Sequence, residues 1–204
     1  MSLISKEEAM LELEPYFPLL RKAVYAAWDS WIAGPVAPRM QHKRVRANLV
    51  WNDYFFEMMK ELSTGEHTGI RFAKIPYNQG FAINDRFFLK FKKADSNFLS
   101  SNLQTQSAMK YHDPKIDMFG GEVRLELLYV LDRDGINIDK IAIVQRKDKF
   151  VAWAIDINAE NIIEMPRVIE PNVVNKPAET VAKKVIKSRK SAKDKVVGKD
   201  GTTS

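Results

Sequence analysis

The sequence predicts an α+β fold, with two N-terminal helices packed on a mostly antiparallel meander sheet. Apolar residues recur every three or four positions up to about residue 62, as on the buried side of a helix. From about residue 70 to residue 157 they alternate with polar residues, as in half-buried strands. Beyond residue 166 both the aromatic residues and the periodicity end. We therefore predict one domain over residues 1–166 and a flexible, disordered, lysine-rich tail over residues 167–204.

Proline and glycine set the bounds of the first helix. Ser5 begins a short helical lead-in that Pro15 and Pro18 interrupt, because proline is tolerated in a first turn and not in a helix interior. The first long helix is therefore expected to begin near Glu14 and to end at Gly34.

The second helix is expected to begin after Pro38 and to end near Leu62, and its start is unusually basic. Five basic residues and no acid lie between positions 39 and 46: Arg39, His42, Lys43, Arg44 and Arg46. Arg39, Lys43 and Arg46 share one helical face. Because guanidinium groups bind phosphate in a bidentate way, this cluster predicts a phosphate-binding patch; solvated surface charge is the alternative.

Six segments have the sequence pattern of β-strands. They lie at residues 70–75, 81–83, 86–92, 123–131, 138–145 and 150–157, with a turn expected at 76–80. In the third strand Phe87, Leu89 and Phe91 fall on one face, and Lys90 and Lys92 fall on the other. The acids in and beside the fourth strand, Glu122 and Glu126, are expected to point outward to solvent.

The formal net charge of +6 belongs to the tail. Residues 176–204 hold nine of the 32 Lys and Arg residues and three of the 26 Asp and Glu residues, which leaves 23 of each sign in residues 1–175. A flexible cationic tail attracts phosphate backbones without sequence specificity and with strong salt dependence. The alternative is a tail that only aids solubility.

A polar loop over residues 96–107 follows the basic third strand and could complete an anion site. The phosphate-binding residues predicted in the domain are Arg39, Lys43, Arg44, Arg46, Arg86, Lys90, Lys92, Ser100, Ser101, Asn102 and Thr105. Those predicted in the tail are Lys183, Lys184, Lys187, Arg189 and Lys190.

Catalytic motifs are lacking in the sequence. The three histidines lie far apart, and neither a nucleophile elbow nor a phosphate loop occurs, so no metal, cofactor or catalytic residue is predicted. Whether the protein is an enzyme is open, and the balance favours a binding protein. A small nuclease or ribonuclease toxin stays an alternative, with His112, Asp113 and Lys115, or Arg86 and Lys90, near the scissile phosphate.

The leading hypothesis is a non-catalytic nucleic-acid-associated or regulatory protein of a prokaryotic type, in a mobile-element, phage-defence or toxin–antitoxin context. Its partner would be nucleic acid or an acidic protein; a protein–protein interaction module with a solubilising tail is the other alternative. The chain has no cysteine and no apolar run long enough to span a bilayer, so a cytoplasmic location is expected. Nothing in the sequence indicates an oligomeric state.

Overall fold

In a computed structural model, the chain places its helices before a six-stranded sheet, and the predicted α+β class is confirmed. The structure describes residues 3–75, 78–100, 110–113, 122–147 and 149–158. The tail and the predicted domain boundary at residue 166 lie outside these residues. None of the described helices is both long enough and apolar enough to cross a membrane.

Three α-helices precede the sheet: α1 (Lys6–Leu13), α2 (Phe17–Ala33) and α3 (Lys43–Leu62). The Ser5 hydroxyl caps α1 by accepting a hydrogen bond from the Glu8 backbone N–H at 3.1 Å. Pro15 lies in the first turn of a short 3₁₀ helix and Pro18 in the first turn of α2, where a missing N–H costs nothing. The predicted lead-in is therefore a separate helix, and the first long helix begins three residues later than expected.

The six strands lie side by side in chain order. They are β1 (Ile70–Ile75), β2 (Asn78–Ile83), β3 (Phe87–Ala94), β4 (Val123–Leu131), β5 (Ile138–Lys147) and β6 (Phe150–Asp156). Every neighbouring pair is antiparallel except β3 and β4, which are parallel. The turn expected at residues 76–80 is shorter than predicted, because Asn78, Gln79 and Gly80 already pair with β1.

The helices cover one face of the sheet, which we call the helix face. Tyr54 of α3 stacks on Phe91 of β3 with ring centroids 4.0 Å apart, and Trp28 of α2 lies 6.3 Å from Tyr129 of β4. Alternate residues of β3, β4 and β5 belong to this core, among them Leu89, Leu127 and Ile143, as the alternation predicted. Trp28 and Trp31 are buried in it and Trp51 and Trp153 pack against it, so the tryptophans serve as core residues.

The opposite face, called here the crossover face, is covered as well. Because β3 and β4 are parallel, the chain between them must return along the length of the sheet. Phe98, early in that connection, packs with Leu128, Val130 and Val144 in a second apolar cluster. Residues that alternation assigns to solvent are therefore buried on this face.

Candidate functional site

Two of the predicted phosphate-binding arginines are bound to groups of the protein itself. Arg86 pairs with the carboxylates of Glu8 and Glu12 on α1, and these interactions, the Glu8 hydrogen bond first, raise the pKa of Arg86. Arg39 donates from Nε to the Pro35 carbonyl oxygen at 3.1 Å. Arg44 is exposed. None of the three lies in the groove or the cluster described below.

Lys43 and Arg46 come together with Lys93 at a surface groove of about 360 Å³. Lys43 and Arg46 belong to the first turns of α3, Lys93 to the end of β3, and Arg133 and Gly135 to the β4–β5 hairpin on the other wall. Burial, followed by the charges of Arg46 and Lys43, lowers the pKa of Lys93. All three cations line the same groove, so their charges oppose one another there.

The side chain of Arg46 is held in a fixed position at the groove by its neighbours. Its side chain is only 9% exposed, and its Nη1 donates to the Gly135 carbonyl oxygen at 2.7 Å. Its guanidinium also lies 5.7 Å from the centre of the Trp28 ring. Its Nε is buried and has no hydrogen-bond partner among the described residues, which is unusual for a buried donor.

The start of α3, beside this groove, favours an anion. No side chain caps the helix at His42, and its first turn contains no acid. A helix N-terminus carries a partial positive charge and N–H groups that lack helical partners. The partial positive charge of a helix N-terminus repels nearby basic side chains. A bound anion would offset this repulsion.

Three acids also line the groove: Asp95, Asp132 and Asp134. Two of them are engaged in their own turns. Asp95 accepts from the Asn97 and Leu99 N–H groups at 2.9 Å, and Asp132 accepts from the Ile136 N–H at 2.8 Å. Their carboxylates are thus partly neutralised by backbone donors, whereas Lys43 and Lys93 make no comparable bond among the described residues.

The sheet separates this groove from the other predicted residues. Lys90 and Lys92 alternate with Phe91 and Lys93 along β3, so they lie on the crossover face. Ser100 reaches the same face through a single bridge to Ala94. Of the predicted residues that the structure describes, Lys43 and Arg46 therefore lie at the groove, and Lys90, Lys92 and Ser100 lie on the crossover face.

The second group surrounds Glu126, which is 1% exposed. The Ser100 hydroxyl lies 3.2 Å from both carboxylate oxygens of Glu126, and Arg146 Nη1 lies 3.9 Å from Oε2. Burial raises the pKa of Glu126, and Arg146 and Lys90 oppose that rise. We call the group formed by Lys90, Ser100, His112, Arg124, Glu126 and Arg146 the Glu126 cluster.

His112 is held in the Glu126 cluster by its neighbours in the chain. Arg124 donates to the carbonyl oxygens of Lys110 and Asp113, both at 2.7 Å, so it fixes the segment that carries His112. Nε2 of His112 lies 3.6 Å from Oε1 of Glu126. Burial, and then the Arg146, Lys90 and Arg124 charges, lower the pKa of His112 to about 3, so the ring is neutral near pH 7 and this contact is not an ion pair.

Lys90 is the cation of the Glu126 cluster that loses its proton most easily. It pairs in register with Glu126 across the parallel strands, and its Nζ donates to Asn78 Oδ1 at 2.5 Å. Its Nζ also lies 4.7 Å from the centre of the Tyr111 ring. Burial, followed by the Lys92 charge, lowers its pKa to about 8. A lysine with this pKa is mostly protonated near pH 7 and can still release its proton readily.

Sequence reasoning missed Glu126, Arg124 and Arg146. It expected Glu126 to face solvent, because it alternates with apolar residues, and the structure shows that this expectation is wrong. The available signal was the apolar residues on the same face, Phe88 and Val144 among them, which indicate that something covers this face.

Several predicted residues lie outside the described part of the chain. They are Ser101, Asn102, Thr105, Lys115, Lys183, Lys184, Lys187, Arg189 and Lys190. Within the described residues, no group of three His, Cys, Asp or Glu side chains is arranged to hold a metal ion. Comparison of the chain with protein-family models, with curated proteins and with solved structures found no match.

Proposed function

We propose that this protein is nucleic-acid-associated and binds phosphate backbones at the groove beside the start of α3, with help from the basic tail. The observation that carries the proposal is the convergence of Lys43, Arg46 and Lys93 on an uncapped helix N-terminus. Lys43 and Lys93 supply positive charges, while the guanidinium of Arg46 is held in place by Gly135. Binding of this kind requires no catalysis.

Backbone binding predicts affinity without base specificity. Each phosphate that a lysine neutralises adds about 0.9 to the slope of log affinity against log salt for duplex DNA. Because the groove residues contact only phosphate in this proposal, duplexes of different sequence should bind alike. The tail would add a second, separable contribution of the same kind.

The test is binding of labelled duplex DNA and single-stranded RNA to the full chain over a salt series. We expect Lys43→Gln/Lys93→Gln to weaken binding and to lower the salt slope by about two. The matched control is Lys60→Gln/Lys74→Gln, which removes two exposed charges elsewhere on α3 and β1. Equal binding by the two double variants would overturn the groove, and no binding by the unmodified chain at low salt would overturn the function.

A further inference from the structure

The Glu126 cluster indicates a second function, separate from phosphate binding at the groove. Lys90, His112 and Glu126 contain three kinds of proton-exchanging group within one small region, with Arg146 and Lys92 beside them. Burying this many charged and polar side chains costs free energy. They add nothing to phosphate binding at the groove, which lies on the other side of the sheet. Shifted pKa values cluster at functional sites.

From this arrangement we propose that the Glu126 cluster cleaves RNA, with His112 as the general base and Lys90 as the general acid. His112 removes the proton from a ribose 2′-hydroxyl, and the 2′-oxygen forms a bond to the adjacent phosphorus. The bond from phosphorus to the 5′-oxygen breaks, and the Lys90 ammonium gives its proton to that oxygen. The products are a 2′,3′-cyclic phosphate and a 5′-hydroxyl. His112 then releases its proton to solvent, and Lys90 takes one up from solvent.

Because the ring of His112 is unprotonated near pH 7, one ring nitrogen has a lone pair that can accept a proton. Burial and the surrounding cations, which lower its pKa, make the ring a weak base while no substrate is bound. A bound phosphodiester would offset the charges of Arg146, Lys90, Lys92 and Arg124, and the ring would then become a stronger base at the moment it is needed. In this proposal Arg146 stabilises the negative charge that develops on the phosphoryl oxygens.

Glu126 and Arg124 act as positioning residues. The Glu126 carboxylate is buried beneath the cluster, where it lies beside His112, Ser100 and Arg146. Arg124 holds the backbone on both sides of His112. In this proposal the groups that touch the substrate are His112 and Lys90.

The test is incubation of the full chain with a fluorophore–quencher RNA oligonucleotide in EDTA, followed by analysis of the product ends. We expect a cyclic phosphate and a 5′-hydroxyl, and an intact strand when the ribose at the cut site is 2′-deoxy. Lys90→Gln and His112→Gln should each slow cleavage by at least about 100-fold, and the control Lys74→Gln should cleave normally. Intact RNA throughout, cleavage of the deoxy strand, or equal rates in the variants would overturn the proposal.

Two further arms separate catalysis from folding and from binding. Lys90→Arg keeps the positive charge but holds its proton too tightly, so it should fold and bind RNA yet lose cleavage; normal cleavage would exclude Lys90 as the acid. In the unmodified chain, the cleavage rate should fall above about pH 8 as Lys90 loses its proton. The groove variant Lys43→Gln/Lys93→Gln should bind more weakly and cleave normally at saturation, so either proposal can fail without the other.

Discussion

At the scale of the residue, the main feature is a set of ionisable side chains whose pKa values differ from their ordinary values. His112 is the clearest case, because burial and four cations keep its ring neutral. Neutrality of this kind links folding to pH. A histidine protonates near pH 6.5 in the unfolded chain, but in the folded protein it resists protonation until about pH 3.

His112 should therefore make the fold less stable in mild acid. Its contribution is fully present above pH 6.5 and is lost as the pH falls towards 3, because the unfolded chain then binds a proton that the folded chain does not. Between pH 7 and pH 5 the expected loss in free energy of unfolding is about 2 kcal/mol. Urea denaturation of the full chain at both pH values measures it.

His112→Gln should remove most of that loss, whereas His42→Gln, at an exposed histidine, should keep it. Glu126 titrates in the opposite sense, since its raised pKa favours the folded state as the pH falls. Comparing the two histidine variants cancels this contribution. An unchanged pH dependence in His112→Gln would show that the ring is not held neutral.

At the scale of the element, α1 is attached to the sheet by polar contacts. Arg86 pairs with Glu8 and Glu12. Just before α1, the Ile4 N–H donates to the side-chain Oε1 of Gln145 at 3.3 Å, and that oxygen also accepts from the Trp153 indole N–H at 3.0 Å. Arg86 is thus explained by attachment of a helix, without any phosphate.

Arg86→Ala should destabilise the fold by no more than about 1 kcal/mol, because the ion pairs are partly exposed. It should leave nucleic-acid binding unchanged, since its charge is already balanced by two acids. Chemical denaturation and the salt-series binding assay measure the two effects. A loss of affinity as large as that of Lys43→Gln/Lys93→Gln would show that Arg86 belongs to the binding surface.

The sequence predicted the elements better than the site. Alternation in β3, β4 and β5 indicated which residues face the helices, because the strand period is a local property. It could not indicate what covers the other face, because that depends on β3 and β4 pairing in parallel across a long connection. Lys90 and Ser100 were selected from composition, but their partner Glu126 was assigned to solvent for this reason.

At the scale of the whole molecule, the described part carries two candidate sites on opposite sides of one sheet, and the chain carries its net charge in the tail. The charges of residues 1–175 cancel, so long-range attraction to nucleic acid should come mainly from the tail. The groove should set how the backbone is held once it arrives. These two roles can be separated by charge substitution in the full chain.

Replacing Lys183, Lys184, Lys187, Arg189 and Lys190 with Gln should lower both the association rate and the salt slope. The slope should fall by up to about 4.5 if all five residues contact phosphate. Stopped-flow binding over a salt series measures both quantities. A tail variant with unchanged rate and slope would show that the tail serves only solubility.

The parallel pair β3–β4 also bears on how this protein can change. Residues 95–122 connect the two strands, and they are the only long connection within the described sheet. The entropy of closing such a loop rises by only about 0.6 kcal/mol for each doubling of its length. Insertions there would cost the scaffold little in loop-closure entropy, and the same connection carries Ser100 and His112 of the Glu126 cluster. The fold thus leaves the chemistry of one face free to diversify while the helix face stays under strict packing constraint.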